Sequence, residues 1–149
     1  MISDKMTSEL NKQINAELYS AYLYLAMSAC ATDMDYNGTA NWFFQQMQEE
    51  MTHAQKIYDY ICSQGGRIEL AAIEKPPAEF ESLRQMFEET LAHEKKVTSL
   101  INALADLAME EKDHATSNFL QWFVDEQVEE EESVNEVLAQ LKLAGDQGP

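Results

Sequence analysis

With 149 residues, 45% of them apolar, and only five Gly and three Pro, the chain has the material for one domain with a sizeable core and long uninterrupted helices. Its formal charge of -17 weighs against nucleic acid and anionic membranes as partners and favours the attraction of cations.

The chain opens on Met1-Ile2-Ser3-Asp4-Lys5, with no basic segment leading into an apolar run, so no secretory leader is expected. From about Ser3 to Thr32 one helix face recurs at Leu10, Ile14, Leu18, Ala21, Leu25 and Ser28, with Glu17 and Tyr24 inside the stripe. The most apolar part, residues 16–31, is shorter than the roughly 20 residues a membrane span needs, and it carries Glu17. A short turn-forming segment, Asp33 to Gly38, returns the chain antiparallel into a second helix over about Thr39 to Gln64. The stripe of that helix is Phe43, Met47, Ala54, Ile57 and Ile61, with Glu50 in its middle, and Gly65-Gly66 stops it.

Residues 65–79 show no helical period and carry Pro76-Pro77. At about 3.3 Å per residue such a segment reaches about 50 Å, more than the ~38 Å of a helix of about 25 residues. It is therefore a crossover that lets the second and third helices run parallel. The third helix, about Phe80 to Met109, presents Phe80, Leu83, Phe87, Leu91, Val97, Ile101 and Leu104 and encloses Glu94. A polar turn at Glu110 to Asp113 leads into a fourth, reaching about Leu143, with Phe119, Leu120, Phe123, Val134, Val137 and Leu141. Gln127 and Glu130 fall in that last stripe. The expected fold is all-α, an antiparallel four-helix bundle with one long crossover, a single domain over residues 1–145 with a tail at 146–149. Cys30 and Cys62 fit no metal or redox spacing and imply a reducing, cytoplasmic setting.

Glu50-Met51-Thr52-His53 places a carboxylate and an imidazole three residues apart on one helix face, where they can grip one metal ion. The rest of the chain supplies partners at the same depth. Shifting by 77 residues sets Glu17 on Glu94, Glu49 on Glu126, Glu50 on Gln127 and His53 on Glu130. Counted by helical rise, Glu17 lies about 22 Å from the first turn and Glu50 and His53 about 17 to 21 Å beyond it. Glu94 and Gln127 match across the last turn in the same way. Glu111 and His114, spaced alike, fall at the bundle end as a solvated helix start. Four carboxylates, Glu17, Glu50, Glu94 and Glu130, facing one apolar core with no Lys or Arg in the stripes would cost several kcal/mol each, roughly, unless two divalent ions balanced them. The bland alternative puts each at the edge of its stripe, in water. An oxygen-rich set with one imidazole and no thiolate suits iron or manganese. Tyr24 lies two turns along the same face from Glu17, as a core tyrosine or a donor beside the metals. Glu49, Glu126 and Glu129 could converge into a further acidic site or form a solvated face. Met51, like Trp42 and Trp122, is read as a packing residue, and no haem is expected.

These residues, together with Ala16-Glu17-Leu18-Tyr19-Ser20-Ala21-Tyr22-Leu23-Tyr24, Gln48-Glu49-Glu50-Met51-Thr52-His53 and Asn118-Phe119-Leu120-Gln121-Trp122, resemble the ferroxidase centre of prokaryotic non-haem ferritins over nearly the whole chain. The resemblance implies Glu17, Glu50 and His53 on one iron, Glu50, Glu94 and Glu130 on the other, and Gln127 close by. It implies a third iron near Glu49, Glu126, Glu129 and Glu130. It also implies a shell of 24 subunits that oxidises iron(II) with oxygen or hydrogen peroxide and stores a ferric oxyhydroxide mineral. Relatives continue into a short fifth helix lining the four-fold channels, whereas this sequence ends at Gly145-Asp146-Gln147-Gly148-Pro149, so four helices are expected. Where haem-containing bacterioferritins carry a second Glu-x-x-His, the chain reads Gln127-Val128-Glu129-Glu130, which resembles the non-haem branch. Two other readings are a rubrerythrin-like peroxide reductase, disfavoured by the lack of a Cys-x-x-Cys iron site, and a non-catalytic acidic helical interaction protein.

Overall fold

The computed structural model describes residues 1–145, and the tail expected at 146–149 lies outside them. Four helices follow one another: α1 (Asp4–Asp33), α2 (Asn37–Ser63), α3 (Leu83–Glu110) and α4 (His114–Leu143). No strand and no helix long and apolar enough to cross a membrane occurs among the described residues.

Local chemistry sets the ends. Ser3, Ser82 and Asp113 each accept a hydrogen bond from the third backbone N–H beyond them, filling one of the donors a helix start leaves unpaired. Replacing Ser82 by Ala is expected to lower stability by about 1 kcal/mol, read from the denaturant midpoint at constant slope. At the end of α2, Gly65 takes φ +78 and Gly66 N–H reaches back to the Ile61 carbonyl at 2.9 Å, closing off the last turn. The ends of α1 and α3 are built alike, but with Asp35 and Lys112 in the left-handed conformation. There, no glycine marks the stop.

Cross-helix contacts fix the directions. Tyr24 meets Glu94 while Ser3 meets Glu111, so α1 and α3 are antiparallel. His53 packs on Trp122 and Tyr60 on Phe119, so α2 and α4 are antiparallel too. The hairpin between α1 and α2 is three residues long, residues 34–36, and forces the same relation. Helices α2 and α3 therefore run parallel, as the crossover is long enough to allow. That crossover occupies residues 64–82 and is pinned along α1 by two asparagines. Asn11 Nδ2 donates to the Arg67 carbonyl at 2.9 Å, Asn11 Oδ1 accepts from Glu69 N–H at 2.9 Å, and Asn15 Nδ2 donates to the Ala72 carbonyl at 3.1 Å.

Two positions differ from the apolar pattern. Phe80 is buried but precedes the Ser82 cap, so it packs onto the core from the crossover rather than from α3. Leu25 is 39% exposed, because Tyr24 and Ser28 take the inner face and turn Leu25 toward Met47, Met51 and Ile73 at the edge of the bundle.

The core divides into two apolar clusters. One gathers Leu10, Ile14, Ile57, Ile61, Ile101 and Phe123; the other gathers Met27, Phe43, Met86, Phe87, Val134 and Leu141. On each helix the polar residues of the middle layer fall between these clusters: Glu17, then Glu50 and His53, then Glu94, then Gln127 and Glu130. Apolar packing seals that layer at both ends along the bundle axis.

Candidate metal centre

Each helix contributes to the middle layer through the register its own face dictates. From α1 come Gln13, Glu17 and Tyr24; from α2, Glu50 and His53; from α3, Glu94; from α4, Gln127 and Glu130. All eight are buried, Glu17 fully and Glu130 to within 6% exposure. The alternative in which the four glutamates reach water at the edges of their helices is thereby removed. Among the described residues no Lys or Arg is buried. The ion pairs Lys12–Glu9 and Arg84–Glu88 lie on exposed surface.

Hydrogen bonds satisfy part of this layer and leave part of it open. Tyr24 O–H donates to Glu94 Oε1, and Gln127 Nε2 donates to Glu94 Oε2 at 3.1 Å, so both Glu94 oxygens are occupied. Gln13 Nε2 donates to Glu17 Oε1 at 3.4 Å. Glu17 Oε2, Glu50 Oε1 and His53 Nδ1 are buried with no donor from the rest of the chain, so the Glu17 and Glu50 carboxyls face each other across either a shared proton or a cation. His53 Nδ1 lies 3.2 Å from Glu50 Oε2 but is not aligned for a hydrogen bond with it. An unsatisfied buried polar atom costs roughly 1 to 3 kcal/mol. All three belong to one group.

The ligand atoms form three clusters within 4.8 Å: Glu17, Glu50 and His53; Glu50, Glu94 and Glu130; and His53, Glu126 and Glu130. Glu50 is shared by the first two, and Glu130 by the last two. His53 stands at the boundary, its Nδ1 toward Glu50 and its Nε2 4.0 Å from Glu126 Oε1. Glu126 is half-buried, while Glu49 and Glu129 are exposed and fall outside these groups. Glu49 still acts on the site through its charge, raising the pKa of Glu130 and Glu50.

Electrostatics follows from burial with no Lys or Arg counter-charge, and among the charged neighbours His53 favours the ionised forms of Glu17 and Glu94. Burial first, and then the neighbouring Glu50, hold the Glu17 carboxyl well above its ordinary value. Burial likewise lifts Glu50 and Glu94. Glu130 is pushed up to about 9 by burial and then by Glu94. Burial and the Glu94 charge raise the Tyr24 phenol far above its usual range. Without a cation the layer therefore holds protons. With divalent cations it would exchange them for metal, as oxygen donors suited to a hard or borderline ion do.

Around this layer are residues that the apolar pattern does not reveal. His93 lies on α3 beside Glu94, shares a 2.6 Å hydrogen bond with Ser20, and meets Tyr24 edge-on at 6.2 Å between ring centroids. Burial, then Lys96, lowers its pKa to about 4. Trp122 does more than pack: its ring shields the edge of His53 at 5.2 Å and carries Lys56 Nζ 4.2 Å from its centroid. Thr98 and Glu131 bond to each other behind Gln127. Glu111 and His114 are exposed at the bundle end, where Glu111 accepts from Ser3.

The chain is similar to known proteins over nearly its whole length. The model of the Ferritin family, described as a ferritin-like domain, matches residues 7–144. The bacterial non-heme ferritin of Escherichia coli O6:H1 is 43% identical over 148 residues, covering 99% of this chain and 90% of that protein. That of Staphylococcus saprophyticus is 44% identical over 146 residues, covering 98% and 87%. Among solved structures, the open pore ferritin of the archaeon Archaeoglobus fulgidus superposes with a TM-score of 0.96 at 49% identity, covering 98% of this chain and 89% of that one. An engineered closed form of the same ferritin superposes with a TM-score of 0.97 at 48% identity, covering 99% and 90%. With a bundle of this topology, a shared carboxylate at its centre and relatives that extend over almost its full length, the chain belongs to the ferritin-like family, among the bacterial non-haem ferritins.

Proposed function

We propose that the chain is an iron-storage protein with ferroxidase activity, and that its substrate, iron(II), binds as a pair in the buried middle layer. Glu17, Glu50 and His53 hold one ion, and Glu50, Glu94 and Glu130 hold the other, with Gln127 beside the second. The observation that carries this reading is the coincidence of the three buried atoms that receive no donor from the rest of the chain, Glu17 Oε2, Glu50 Oε1 and His53 Nδ1, in one three-residue cluster. Four carboxylates with a single imidazole and no Lys or Arg among them are tolerable in such a place when cations balance them.

Two iron(II) ions give up one electron each. With oxygen and two protons they yield two iron(III) and hydrogen peroxide; with hydrogen peroxide and two protons they yield two iron(III) and two waters. Glu50 spans the pair and keeps the ions adjacent, while Tyr24 fixes Glu94 through its O–H. The ferric product moves to a ferric oxyhydroxide mineral within a homo-oligomeric cage, for which 24 subunits is the expected number. A third iron position lies next to the pair on the Nε2 side of His53, with Glu126 and Glu130, and with Glu49 and Glu129 as outer acids. Residues 1–145 act as one domain in this scheme, and the free thiols Cys30 and Cys62 suit the reducing cytoplasm.

Aerobic addition of iron(II) is expected to give oxidation faster than in buffer, with the product iron co-eluting with the protein; oxidation at the buffer rate would refute the assignment. Tyr24→Phe, which removes the hydrogen bond to Glu94 and keeps the ring, is expected to slow oxidation roughly 10-fold without changing the number of ions bound. Stopped-flow absorbance together with an anaerobic binding titration checks both parts.

A further inference from the structure

Gln127 occupies in the second half of the chain the place that Glu50 holds in the first, and the two halves differ around it. A glutamine amide has one end that binds a cation and one that repels it. The ends are nearly alike in shape, so its value as a ligand depends on which way it is turned.

Here the turn is settled by what surrounds the nitrogen. Gln127 Nε2 faces the Glu94 backbone carbonyl at 3.2 Å, Glu94 Oε2 at 3.1 Å and Thr98 Oγ1 at 3.1 Å. The reverse orientation would set the amide oxygen against the carbonyl and carboxylate oxygens of Glu94. Thr98 could donate as well as accept, and Glu131 decides between the two. Thr98 Oγ1 lies 2.6 Å from Glu131 Oε2 and 3.0 Å from the Glu94 carbonyl, so its one proton goes to an acceptor and its lone pairs are left for Gln127. The 77-residue offset sharpens the point. Thr98 falls on Ala21 and Glu131 on Ala54, both buried and apolar. That half needs no such device, since either oxygen of Glu50 can accept a cation.

We infer that Thr98 and Glu131 form an orientation lock, holding the Gln127 amide with its oxygen available to the iron(II) bound beside Glu94. Both are positioning residues: they act through Gln127 and touch no ion themselves. This inference rests on the paired-iron reading above.

Anaerobic titration of the full-length protein with cobalt(II), followed by visible absorption, tests it, because the intensity of the cobalt bands reports ligand number and geometry. The wild type is expected to take up two ions per chain. Thr98→Val, which keeps the shape and removes the hydroxyl, is expected to weaken one of the two roughly 10-fold and alter its band intensity, and Thr98→Ser to restore both. Glu131→Ala, which copies Ala54, is expected to weaken the same ion and decides the matter alone if Thr98→Val does not fold by circular dichroism. A wild type that takes up two ions, with variants matching its affinity and spectrum, would overturn the lock while leaving the paired-iron reading in place. A wild type that takes up none would remove both.

Discussion

Replacing Glu50 by Ala is expected to cut the initial rate of iron(II) oxidation by more than about 100-fold while the four helices stay folded. The reason is its position in two clusters at once: with Glu17 and His53 on one side and Glu94 and Glu130 on the other. Loss of any other member leaves one cluster or the other complete. Loss of Glu50 breaks both and, on the proposed paired-iron reading, removes the group that would keep two ions adjacent, which a two-electron reduction of oxygen needs. Stability should move the opposite way. In the absence of metal, Glu50 is a buried acid with no Lys or Arg beside it, facing the Glu17 carboxyl across a shared proton. The alanine variant should therefore melt at the wild-type temperature or above it without metal, and lose most of the rise in melting temperature expected for the wild type with iron(II). Stopped-flow absorbance and paired thermal melts measure the two effects. An unchanged initial rate would contradict the assignment.

The metal-free protein is expected to lose stability as pH rises through neutrality. Glu17, Glu50, Glu94 and Glu130 all have folded-state values above the ordinary carboxylate value of 4.5, with Glu130 near 9. Between those limits the folded chain holds protons that the unfolded chain has released, so stability is greatest at the acid end of the window and falls toward the alkaline end. Each extra proton contributes a slope of about 1.4 kcal/mol per pH unit. For a chain of this size even one such proton lowers the melting temperature by roughly 10 °C between about pH 5.5 and pH 8. Saturating divalent metal is expected to reverse the trend, because ions bound there would displace those protons and bind more tightly as pH rises. Glu130→Gln should flatten the metal-free slope. A melting temperature independent of pH in the metal-free protein would contradict the electrostatic account.

Much of this was legible in the sequence because helix geometry converts spacing into position. Glu17, Glu50, His53, Glu94, Gln127 and Glu130 lie on apolar stripes, and counting 1.5 Å or so per residue from each turn brings them to one depth. The crossover is long enough for α2 and α3 to run parallel, which the contacts then fix. What escaped the pattern lies off the stripes or outside the helices. Phe80 continues the spacing of α3 although it is packed from the crossover, since burial does not require membership of the helix. Leu25 reads as core because α1 is apolar around more than half its circumference, and only the packed neighbours decide which side faces in. Asp35 and Lys112 end their helices in a conformation that glycine usually marks. Thr98, Glu131 and His93 touch residues of the centre or its surround through hydrogen bonds and ring contacts whose partners are distant in sequence. Glu49 and Glu129, on the outer turns, are exposed and fall outside the three clusters, and spacing alone does not say where their carboxylates point.

The most direct measurement is crystallographic: crystals exposed anaerobically to iron(II), with anomalous scattering recorded at the iron edge. The account predicts two iron peaks per chain in the layer between the two apolar clusters, one bounded by Glu17, Glu50 and His53 and the other by Glu50, Glu94 and Glu130. Iron found only on the acidic surface, with that buried layer empty, would contradict it.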